Sequence, residues 1–337
     1  MSEFASNSIK EFNTFGFEVF ANEVIEIQTI EDLTNLHHAQ KINQNSRVLG
    51  GGSNILFTKN FEGQLLRNLI HGRTIHHETN EMVEVSFGGG ENWHETVIYC
   101  VQNGWGGIEN LSLIPGTVGA SPIQNIGAYG SEIKDTFKWL RAFNLKTGEL
   151  ETFNKEACAF GYRDSFFKRE GKNTYFIVEV CFELKKNPVI NVQYGDIQAI
   201  LTQKNINIPT IKDVSDAIIE IRQSKLPNPK DLGNCGSFFK NPVIPMSLFS
   251  ELQLEFPDIK SFPVSEQEVK VPAGWLIEKA GWKGKKVGHV GVHEKQALVL
   301  VHYGHGTGKE IRQLANAIIT NILEIFRIQL EIEVNIW

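Results

Sequence analysis

Three kinds of side chain in this sequence could support acid–base or anion chemistry, and the first is an arginine. Arg163 stands in the segment KEACAFGYRDSFFK, which also contains Phe160, Phe166 and Phe167. A guanidinium held among apolar side chains can bind a carboxylate through two parallel hydrogen bonds. The alternative is a surface arginine in a salt bridge.

The second candidate is Ser237, which stands in LGNCGSFFKNP between Gly236 and Phe238. The segment does not match the GxSxG pattern of hydrolase nucleophiles, so hydrolase chemistry is not indicated. Ser237 is then either a turn residue or a proton donor. The second role needs a partner that favours proton transfer, and the sequence alone does not place one.

The third candidate is a pair of glutamates near the end of the chain. Apolar and polar residues alternate over 328–336, which predicts a strand with Glu331 and Glu333 on its polar face. A strand at a chain end is usually tied into a sheet. Because the two carboxylates share a face, periodicity does not separate them.

Two glycine-rich segments could hold a phosphate. Residues 47–56 read RVLGGGSNIL, and residues 104–130 contain seven glycines. Glycine lets the backbone approach a ligand closely and aim N–H groups at an anion. Neither a Rossmann fingerprint nor a P-loop is present, because Ile55 and Glu310 break the two patterns. A tight turn and an irregular connector are the alternatives, although so long an irregular stretch is usually functional.

Residues 280–299 contain several basic side chains. They form either a solvated loop or a patch that faces phosphate. The histidines lack the spacing of a zinc site and the four cysteines form no CxxC pair, so we predict no metal. We expect the cysteines to be buried thiols in a reducing compartment. The basic side chains are Lys283, Lys285, Lys286, His289 and His293.

Hydrophobic periodicity predicts the strands that must position these residues. Residues 139–145 and 149–153 flank a Lys-Thr-Gly turn, which predicts a hairpin with Gly148 at the turn. Alternation over 176–184 predicts a further strand. The residues expected on one face of that strand are Phe176, Val178, Val180, Phe182 and Leu184.

Three helices are predicted. The first covers 92–102, and a capping box at Thr210 opens the second, which must end before Pro227. Another capping box at Thr307 opens the third. The inward positions expected in the three helices are Trp93, Val97 and Val101; Ile211, Val214, Ile218 and Ile221; and Ile311, Leu314, Ile318, Ile322 and Ile325.

The composition excludes several classes of protein. The 337 residues are 41% hydrophobic and carry a net charge of −6, which is typical of a globular protein with two or three domains. A mildly acidic chain is a poor binder of nucleic acid. No apolar run approaches the roughly 18 residues of a membrane span, and the N-terminus has no apolar signal core. We therefore predict a cytoplasmic protein that binds no nucleic acid and does not insert into a membrane.

Six segments, taken together, resemble one known family. They are LGGGSNIL (49–56), ENLSLIPGTVGASPIQNIGAYGSEIKD (109–135), GYRDSFFK (161–168), KLPNPKDLGNCGSFFKNP (225–242), AGWLIEKAGWKGKKVGHVGVHEKQALVL (273–300) and LEIEVNIW (330–337). The chain is similar to UDP-N-acetylenolpyruvoylglucosamine reductases, also called UDP-N-acetylmuramate dehydrogenases, which are the FAD enzymes of bacterial peptidoglycan precursor synthesis. Cys235 departs from the alanine that looks more usual there, and it could make its loop sensitive to oxidation.

The resemblance implies an α+β fold with a two-subdomain FAD-binding fold of the vanillyl-alcohol-oxidase type and a C-terminal α+β substrate domain. Tyr194 and the insertion over 243–272 resemble the form of the enzyme that places a tyrosine loop over the substrate. We expect a monomer. The expected bounds are 1–75 and 76–209 for the FAD-binding subdomains, 210–326 for the substrate domain and 327–337 for a final strand that returns to the active site.

The resemblance also implies roles for individual residues. Arg163, Ser237 and Glu333 occupy the family's catalytic positions, and Glu331 would then be the solvated glutamate. Substrate-binding positions correspond to Tyr194, Lys225, Asn241 and Gln296. The positions that contact FAD correspond to Gly50, Gly51, Gly52, Ser53, Asn54, Ser112, Pro115, Gly116, Thr117, Gly119, Gln124, Asn125 and Gly127.

The implied reaction uses NADPH, FAD and UDP-N-acetylglucosamine enolpyruvate. NADPH would reduce FAD, and flavin N5 would deliver hydride to the vinyl carbon of the substrate. Arg163 and a protonated or hydrogen-bonded Glu333 would stabilise the enolate. Ser237 would supply the proton, with water or Lys225 as the relay.

Two other classes of function stay open. The same flavin fold also supports oxidases that use oxygen, since fold alone does not determine chemistry. A flavin or nucleotide-sugar carrier would need the binding loops but none of the three catalytic residues. Their joint presence favours an enzyme.

Overall fold

The structure is a computed structural model and describes residues 7–337. The first part of the chain forms β1 (Ala21–Ile27), α1 (Ile30–His38), β2 (Ser46–Leu49), β3 (Ile55–Leu56), β4 (Phe61–Asn68), β5 (Arg73–Glu78), β6 (Met82–Gly88), α2 (Trp93–Gln102), β7 (Gly127–Ala128), β8 (Ser131–Glu132), β9 (Phe137–Asn144), β10 (Leu150–Asn154), α3 (Lys155–Cys158), β11 (Tyr175–Lys185), α4 (Gly195–Gln203) and α5 (Ile211–Lys225). The rest forms β12 (Val243–Pro245), α6 (Met246–Glu255), β13 (Phe262–Pro263), β14 (Glu268–Lys270), α7 (Ala273–Lys279), β15 (Lys286–Val287), β16 (Val290–Val292), β17 (Leu300–His302), α8 (Gly308–Phe326) and β18 (Asn335–Ile336).

The chain forms two compact units. The N-terminal unit consists of Ala21–Gly51 and Glu62–Ser224. The C-terminal unit consists of the described residues up to Phe20, together with Gly52–Phe61 and Lys225–Trp337. The chain therefore passes between the units more than once, and one of these passages lies inside the first glycine-rich segment.

The N-terminal unit is built on an antiparallel five-stranded sheet in the order β10-β9-β11-β6-β5. A second sheet has the order β1-β4-β2, in which β2 and β4 run parallel. The hairpin of β9 and β10 is confirmed, with Gly148 in the left-handed region at φ +77°. This conformation is the reason for glycine at the turn.

The central strand β11 is present, but the prediction that its apolar residues share one face is wrong. Phe176 and Val178 pack with α1 and the three-stranded sheet, whereas Val180 packs with α2 on the other side. A register shift between Ile177 and Glu179 inserts a β-bulge. One extra residue exchanges the two faces of a strand, so alternation beyond the bulge points to the opposite side.

Helix α5 belongs to the N-terminal unit for most of its length, so the structural boundary lies between Ser224 and Lys225 rather than at residue 210. Its apolar side packs against α4, where Val214 and Ile218 share a buried cluster with Ile197. The capping box is confirmed, since Asp213 N–H donates to Thr210 Oγ1 and the Thr210 N–H donates back to the carboxylate. The division of the flavin-binding part at 75/76 stays a prediction.

The C-terminal unit packs two small antiparallel sheets with its helices. The expected insertion over 243–272 folds as β12, α6, β13 and β14, with the sheet order β12-β14-β13. The second sheet has the order β15-β16-β17. The Thr307 capping box that opens α8 is confirmed. Phe326, rather than Ile325, completes the inward face, since Phe326 is buried and Ile325 is 39% exposed.

The end of the chain keeps the expected alternation but only part of the expected strand. Ile328, Leu330 and Val334 are buried, while Glu331 is exposed. Regular pairing is confined to β18, which runs parallel to β3. The strand predicted over 328–336 is therefore too long. A strand needs a neighbouring strand to pair with along its whole length, and hydrophobic periodicity does not show whether one is present.

The four cysteines are buried thiols, as expected. Burial also raises the pKa of the Cys158 thiol to about 12. Within residues 7–337, no helix combines the length and apolar character that a bilayer crossing requires.

Candidate active site

The first glycine-rich segment leaves β2 and lies directly against the second. A Cβ on Gly50 would be 2.7 Å from Thr117 Oγ1, and a Cβ on Gly51 would be 3.0 Å from Gly116 Cα. The neighbour of Gly51 is backbone and has little freedom to move, so this position favours a residue without a side chain, whereas the neighbour of Gly50 is a side-chain hydroxyl. The two segments singled out by composition therefore meet within the N-terminal unit.

Gly52 is the position in this loop where a side chain should cost most. Its φ is +63°, and an added Cβ would overlap the carbonyl group of Phe12. We expect Gly52→Ala to lower the free energy of unfolding by at least about 2 kcal/mol, because left-handed strain adds to the overlap. Gly50→Ala is the matched control, since the neighbouring Thr117 hydroxyl can rotate. Denaturant unfolding checks the prediction, which equal losses in the two variants would contradict.

The second glycine-rich segment is fixed to the start of α2. The Trp93 N–H donates to the Gly116 carbonyl at 3.1 Å. The Trp93 indole donates to the Leu111 carbonyl at 3.0 Å. One residue therefore holds both ends of the turn that precedes Thr117, so α2 sets the position of this segment.

Leu113 lies in the left-handed region, with φ +58°. This conformation costs a non-glycine residue free energy and needs support from its surroundings. The Leu113 N–H donates to His94 Nδ1 at 3.0 Å, and its carbonyl accepts from Arg222 Nε at 3.2 Å. Sequence reasoning missed both residues, since each acts on a backbone group distant in the chain.

The side chains of Ser112 and Asn125 are engaged inside the protein. Ser112 Oγ donates to the Glu109 carbonyl at 2.7 Å and lies 2.8 Å from Ser215 Oγ. The Asn125 amide donates to the Gly161 carbonyl at 2.9 Å. A contact of Ser112 or Asn125 with a cofactor would therefore use the backbone.

Thr117 provides the test of whether these residues fit FAD. Its Oγ1 is buried and, among residues 7–337, has no hydrogen-bond partner. An unpaired buried hydroxyl costs about 1–3 kcal/mol, which a ligand oxygen beside it would remove. We call Gly50, Gly51 and residues 115–119 the cradle. The glycines of the cradle leave the backbone open, and the Thr117 hydroxyl lacks a partner, so both features fit a phosphate-bearing cofactor.

Arg163 stands in a tight two-residue turn. The Gly161 N–H donates to the Asp164 carbonyl at 3.0 Å, and Arg163 takes a left-handed φ of +52°. Its Nη2 donates to the Gly127 carbonyl at 2.7 Å. The guanidinium is thus partly buried and fixed beside an expected cofactor-contacting residue.

A second guanidinium lies near the first. Burial lowers the pKa of Arg222, and the charge of Arg163 lowers it further, whereas a hydrogen bond with Tyr129 opposes the change. Two neighbouring guanidinium groups repel each other, so this cluster favours a bound anion. The only hint in the sequence is that Arg222 follows Ile221 at the edge of an apolar helical stripe.

Tyr194 lies against the second glycine-rich segment in the N-terminal unit. Its ring contacts the Tyr129 ring edge-on, with centroids 5.9 Å apart. A Cβ on Gly130 would be 3.1 Å from the Tyr194 ring, so the contact depends on glycine. Tyr194 itself is 43% exposed, which leaves its ring available to a ligand.

The C-terminal unit brings Ser237 and Glu333 onto adjacent segments. Residues 237–240 lie between two other extended stretches: Ser237 pairs with Val299, and the Glu333 N–H donates to the Phe238 carbonyl at 2.9 Å. Ser237 is exposed and Glu333 is partly exposed. Both are therefore held by backbone pairing and are open to solvent.

Glu331 and Glu333, which periodicity could not distinguish, differ in exposure and in their partners. Glu331 Oε2 lies 3.1 Å from Lys240 Nζ, and the Glu331 side chain is 72% exposed. Glu333 lies near Cys235, where burial, and then the charge of Glu333, raise the pKa of the thiol. A buried, protonated thiol reacts poorly, so the expected oxidation sensitivity of Cys235 has no support.

Asn241 and Gln296 come together at the start of α7. Asn241 Oδ1 accepts a hydrogen bond from the Ala273 N–H at 2.9 Å. Gln296 Oε1 lies 3.5 Å from the position of a Cβ on Gly274. Lys225 is exposed at the last turn of α5. Three of the four expected substrate-binding residues thus belong to the C-terminal unit.

The basic residues of 280–299 already have partners in the protein. Lys285 Nζ lies 4.1 Å from the centre of the Trp282 ring, and Lys286 Nζ lies 4.5 Å from that of Tyr303. Lys283 pairs with a glutamate of α7 at 2.8 Å. This arrangement favours a solvated basic loop over a phosphate-facing patch.

The expected catalytic residues divide between the units. Arg163 belongs to the N-terminal unit with the cradle and Tyr194, whereas Ser237 and Glu333 belong to the C-terminal unit. Gln124 is partly buried within the second glycine-rich segment, and Ser53 and Asn54 follow Gly52 in the C-terminal unit.

Comparison with known proteins relates these features to one family. The profile of the UDP-N-acetylenolpyruvoylglucosamine reductase C-terminal domain matches residues 228–337, and that of an FAD binding domain matches residues 21–154. A UDP-N-acetylenolpyruvoylglucosamine reductase of Flavobacterium johnsoniae is 49% identical over 99% of each chain. Another from Burkholderia pseudomallei is 46% identical over 97% of this chain and 94% of its own.

The fold agrees with a solved structure. UDP-N-acetylenolpyruvylglucosamine reductase from Thermus caldophilus superposes with a TM-score of 0.67 at 22% identity, covering 98% of this chain and 97% of its own. The expected fold class, an FAD-binding fold with a C-terminal α+β domain, is confirmed. The chain therefore belongs to the UDP-N-acetylenolpyruvoylglucosamine reductase family and is an FAD-containing oxidoreductase.

Proposed function

We propose that this protein uses NADPH to reduce UDP-N-acetylglucosamine enolpyruvate to UDP-N-acetylmuramate in peptidoglycan precursor synthesis. The observation that carries the proposal is the 49% identity over 99% of the chain to a reductase named for this substrate. Identity of this extent includes both units, so it covers the residues expected to bind cofactor and those expected to bind substrate.

The cradle is the proposed binding site for FAD. Bound FAD supplies hydride transfer between NADPH and the enolpyruvyl group. The backbone N–H groups of glycine-rich segments suit a pyrophosphate, and the unsatisfied Thr117 hydroxyl gives one more donor. The proposed contacts also include Ser53, Asn54, Ser112, Gln124, Asn125 and Gly127.

Arg163 is proposed to bind the carboxylate of the substrate. Negative charge builds on that carboxylate when the vinyl carbon accepts hydride, so a guanidinium stabilises the transition state more than the ground state. Its Nη2 bond to the Gly127 carbonyl fixes the direction of the group in advance. The neighbouring Arg222 adds positive charge to the same cluster.

Ser237 is proposed to donate the proton that completes the reduction. It is exposed, and backbone pairing with Val299 holds it in position. A serine hydroxyl is a weak acid, so water or Lys225 must relay the proton. Glu333 is proposed to stabilise the enolate in its protonated form, because only a protonated carboxyl group can donate a hydrogen bond.

Tyr194, Lys225, Asn241 and Gln296 are proposed to bind the UDP-sugar. Tyr194 offers an exposed aromatic ring, and Lys225 offers an exposed cation suited to a diphosphate. Asn241 and Gln296 lie together beside α7. Amide groups of this kind can read the polar edge of a base or sugar.

A visible spectrum followed through one catalytic cycle tests the proposal. We expect the purified protein to be yellow and to keep flavin during gel filtration. Anaerobic NADPH should bleach the flavin, and the enolpyruvyl substrate should restore its colour. A colourless but folded protein would contradict the assignment of FAD to the cradle.

The same experiment, with a second reduced sample exposed to air, distinguishes the two alternatives. An oxidase would reoxidise rapidly in air and would not couple NADPH consumption to the enolpyruvyl substrate. A carrier would bind flavin or nucleotide sugar, yet the flavin would not cycle. Either result would replace the proposed reaction.

A further inference from the structure

We propose that His94 is a positioning residue that holds Leu113 in its left-handed conformation and makes flavin retention sensitive to acid. The inference rests on the proposed assignment of the cradle to FAD. It concerns neither a catalytic group nor a substrate contact. Its basis is one hydrogen bond whose direction only a neutral imidazole can satisfy.

Leu113 has an unfavourable backbone conformation that two side chains support. The residue stands two positions before Pro115, where the cradle begins, and its φ is +58°. A leucine stays in this region only where its surroundings hold the peptide groups on either side of it. His94 Nδ1 accepts its N–H at 3.0 Å, and Arg222 Nε donates to its carbonyl at 3.2 Å. Without either bond, the backbone can relax and shift the residues that follow.

The imidazole of His94 accepts this hydrogen bond only in its neutral form. Because the Leu113 N–H donates, Nδ1 must carry a lone pair, so the proton of the neutral ring lies on Nε2. A protonated imidazole carries hydrogen on both nitrogens, so its Nδ1–H would face the Leu113 N–H and no hydrogen bond could form. Arg222 cannot replace the lost acceptor, because a guanidinium only donates. Protonation of His94 should therefore release the peptide group that precedes Leu113.

Burial and nearby charges determine the pH at which His94 is protonated. Two charged groups act on the ring: Arg222 from α5 and Glu95 from α2. Burial lowers the pKa of His94 from its ordinary 6.5, Arg222 lowers it further, and Glu95 opposes the change. The bond is therefore intact at neutral pH. It should be lost only as the pH falls below the ordinary range of histidine.

Flavin dissociation measured against pH tests the inference. The probe is FAD fluorescence, which recovers on release, in the loaded protein from about pH 7.5 down to about pH 4.5, so that the scan extends well below the ordinary range of histidine. For the natural protein we expect the dissociation rate to rise as the pH falls. His94→Asn offers an amide oxygen near the position of Nδ1 and does not titrate. It should dissociate slowly and with little dependence on pH.

His94→Phe keeps the ring but removes the acceptor. It should release flavin about tenfold faster at neutral pH, because a partly buried N–H loses its partner. His38→Asn, which changes an exposed histidine of α1, should keep the natural profile. If His94→Asn kept the natural acid sensitivity, another group would be titrating and the inference would be wrong. Unchanged release from His94→Phe would contradict it equally.

A second readout separates this inference from the proposed function. Amide hydrogen exchange over 111–117 in the flavin-free protein should be faster in His94→Phe than in His94→Asn. This comparison needs no cofactor. Equal protection in the two variants would contradict the positioning role, whereas a natural protein that binds no FAD would contradict the proposed function.

Discussion

Ser237→Ala should slow reduction of the enolpyruvyl substrate by roughly 10² to 10⁴-fold, the scale of losing a general acid. Transfer of hydride from NADPH to the flavin should be almost unchanged, because that half-reaction takes no proton from Ser237. Anaerobic stopped-flow measurement of flavin bleaching by NADPH, and then of colour recovery with substrate, gives the two rates separately.

The structure supplies both controls for this prediction. Ser247→Ala removes another exposed serine of the C-terminal unit and should leave both rates unchanged. Ser237→Cys keeps a proton donor at the same position, so it should recover part of the lost rate. Because Ser237 is exposed and held by backbone pairing with Val299, the alanine variant should also keep its stability. Equal slowing of both half-reactions would exclude the role of proton donor.

Local patterns predicted much of this fold because the features concerned depend on neighbours in sequence. The capping boxes at Thr210 and Thr307 each need only a residue three positions along the helix. The prediction of a single apolar face on β11 was wrong because that face depends on a neighbouring strand distant in sequence. The bulge between Ile177 and Glu179 depends on pairing with β9, which leaves no mark on the alternation of β11 itself.

The candidate site divides in the same way. The cradle was predictable because close backbone approach requires glycine, and glycine is visible in the sequence. His94 and Arg222 were not, since both bond to the backbone of Leu113 and any leucine has the same N–H and carbonyl groups. Side chains that support a distant backbone leave no pattern that pairs them with it.

Arg163→Met should lower the turnover of the enolpyruvyl substrate by about 10² to 10³-fold, the scale of losing a donor to developing charge. Most of the loss should appear in kcat, because the guanidinium acts where charge builds. Arg163→Lys should lose less, since it keeps the charge without the two-pronged geometry. The left-handed φ of +52° is common to every variant with a side chain, so backbone strain cancels in the comparison.

The control for Arg163 stands in the same segment. Arg169 is 40% exposed and pairs with Asp164, and exposed pairs contribute little, so Arg169→Met should leave turnover almost unchanged. Because Arg163 also donates to the Gly127 carbonyl, flavin content must be measured in each variant, and turnover must be expressed per bound flavin.

A substrate analogue separates binding of the carboxylate from a structural role of Arg163. If the guanidinium binds the carboxylate, replacing that carboxylate by an amide should slow the natural enzyme strongly. The same replacement should slow Arg163→Met far less, because the interaction is already absent. If the effects of the two changes instead multiplied independently, Arg163 would act through the Gly127 turn. The enolate would then need another source of positive charge, for which the neighbouring Arg222 is a candidate.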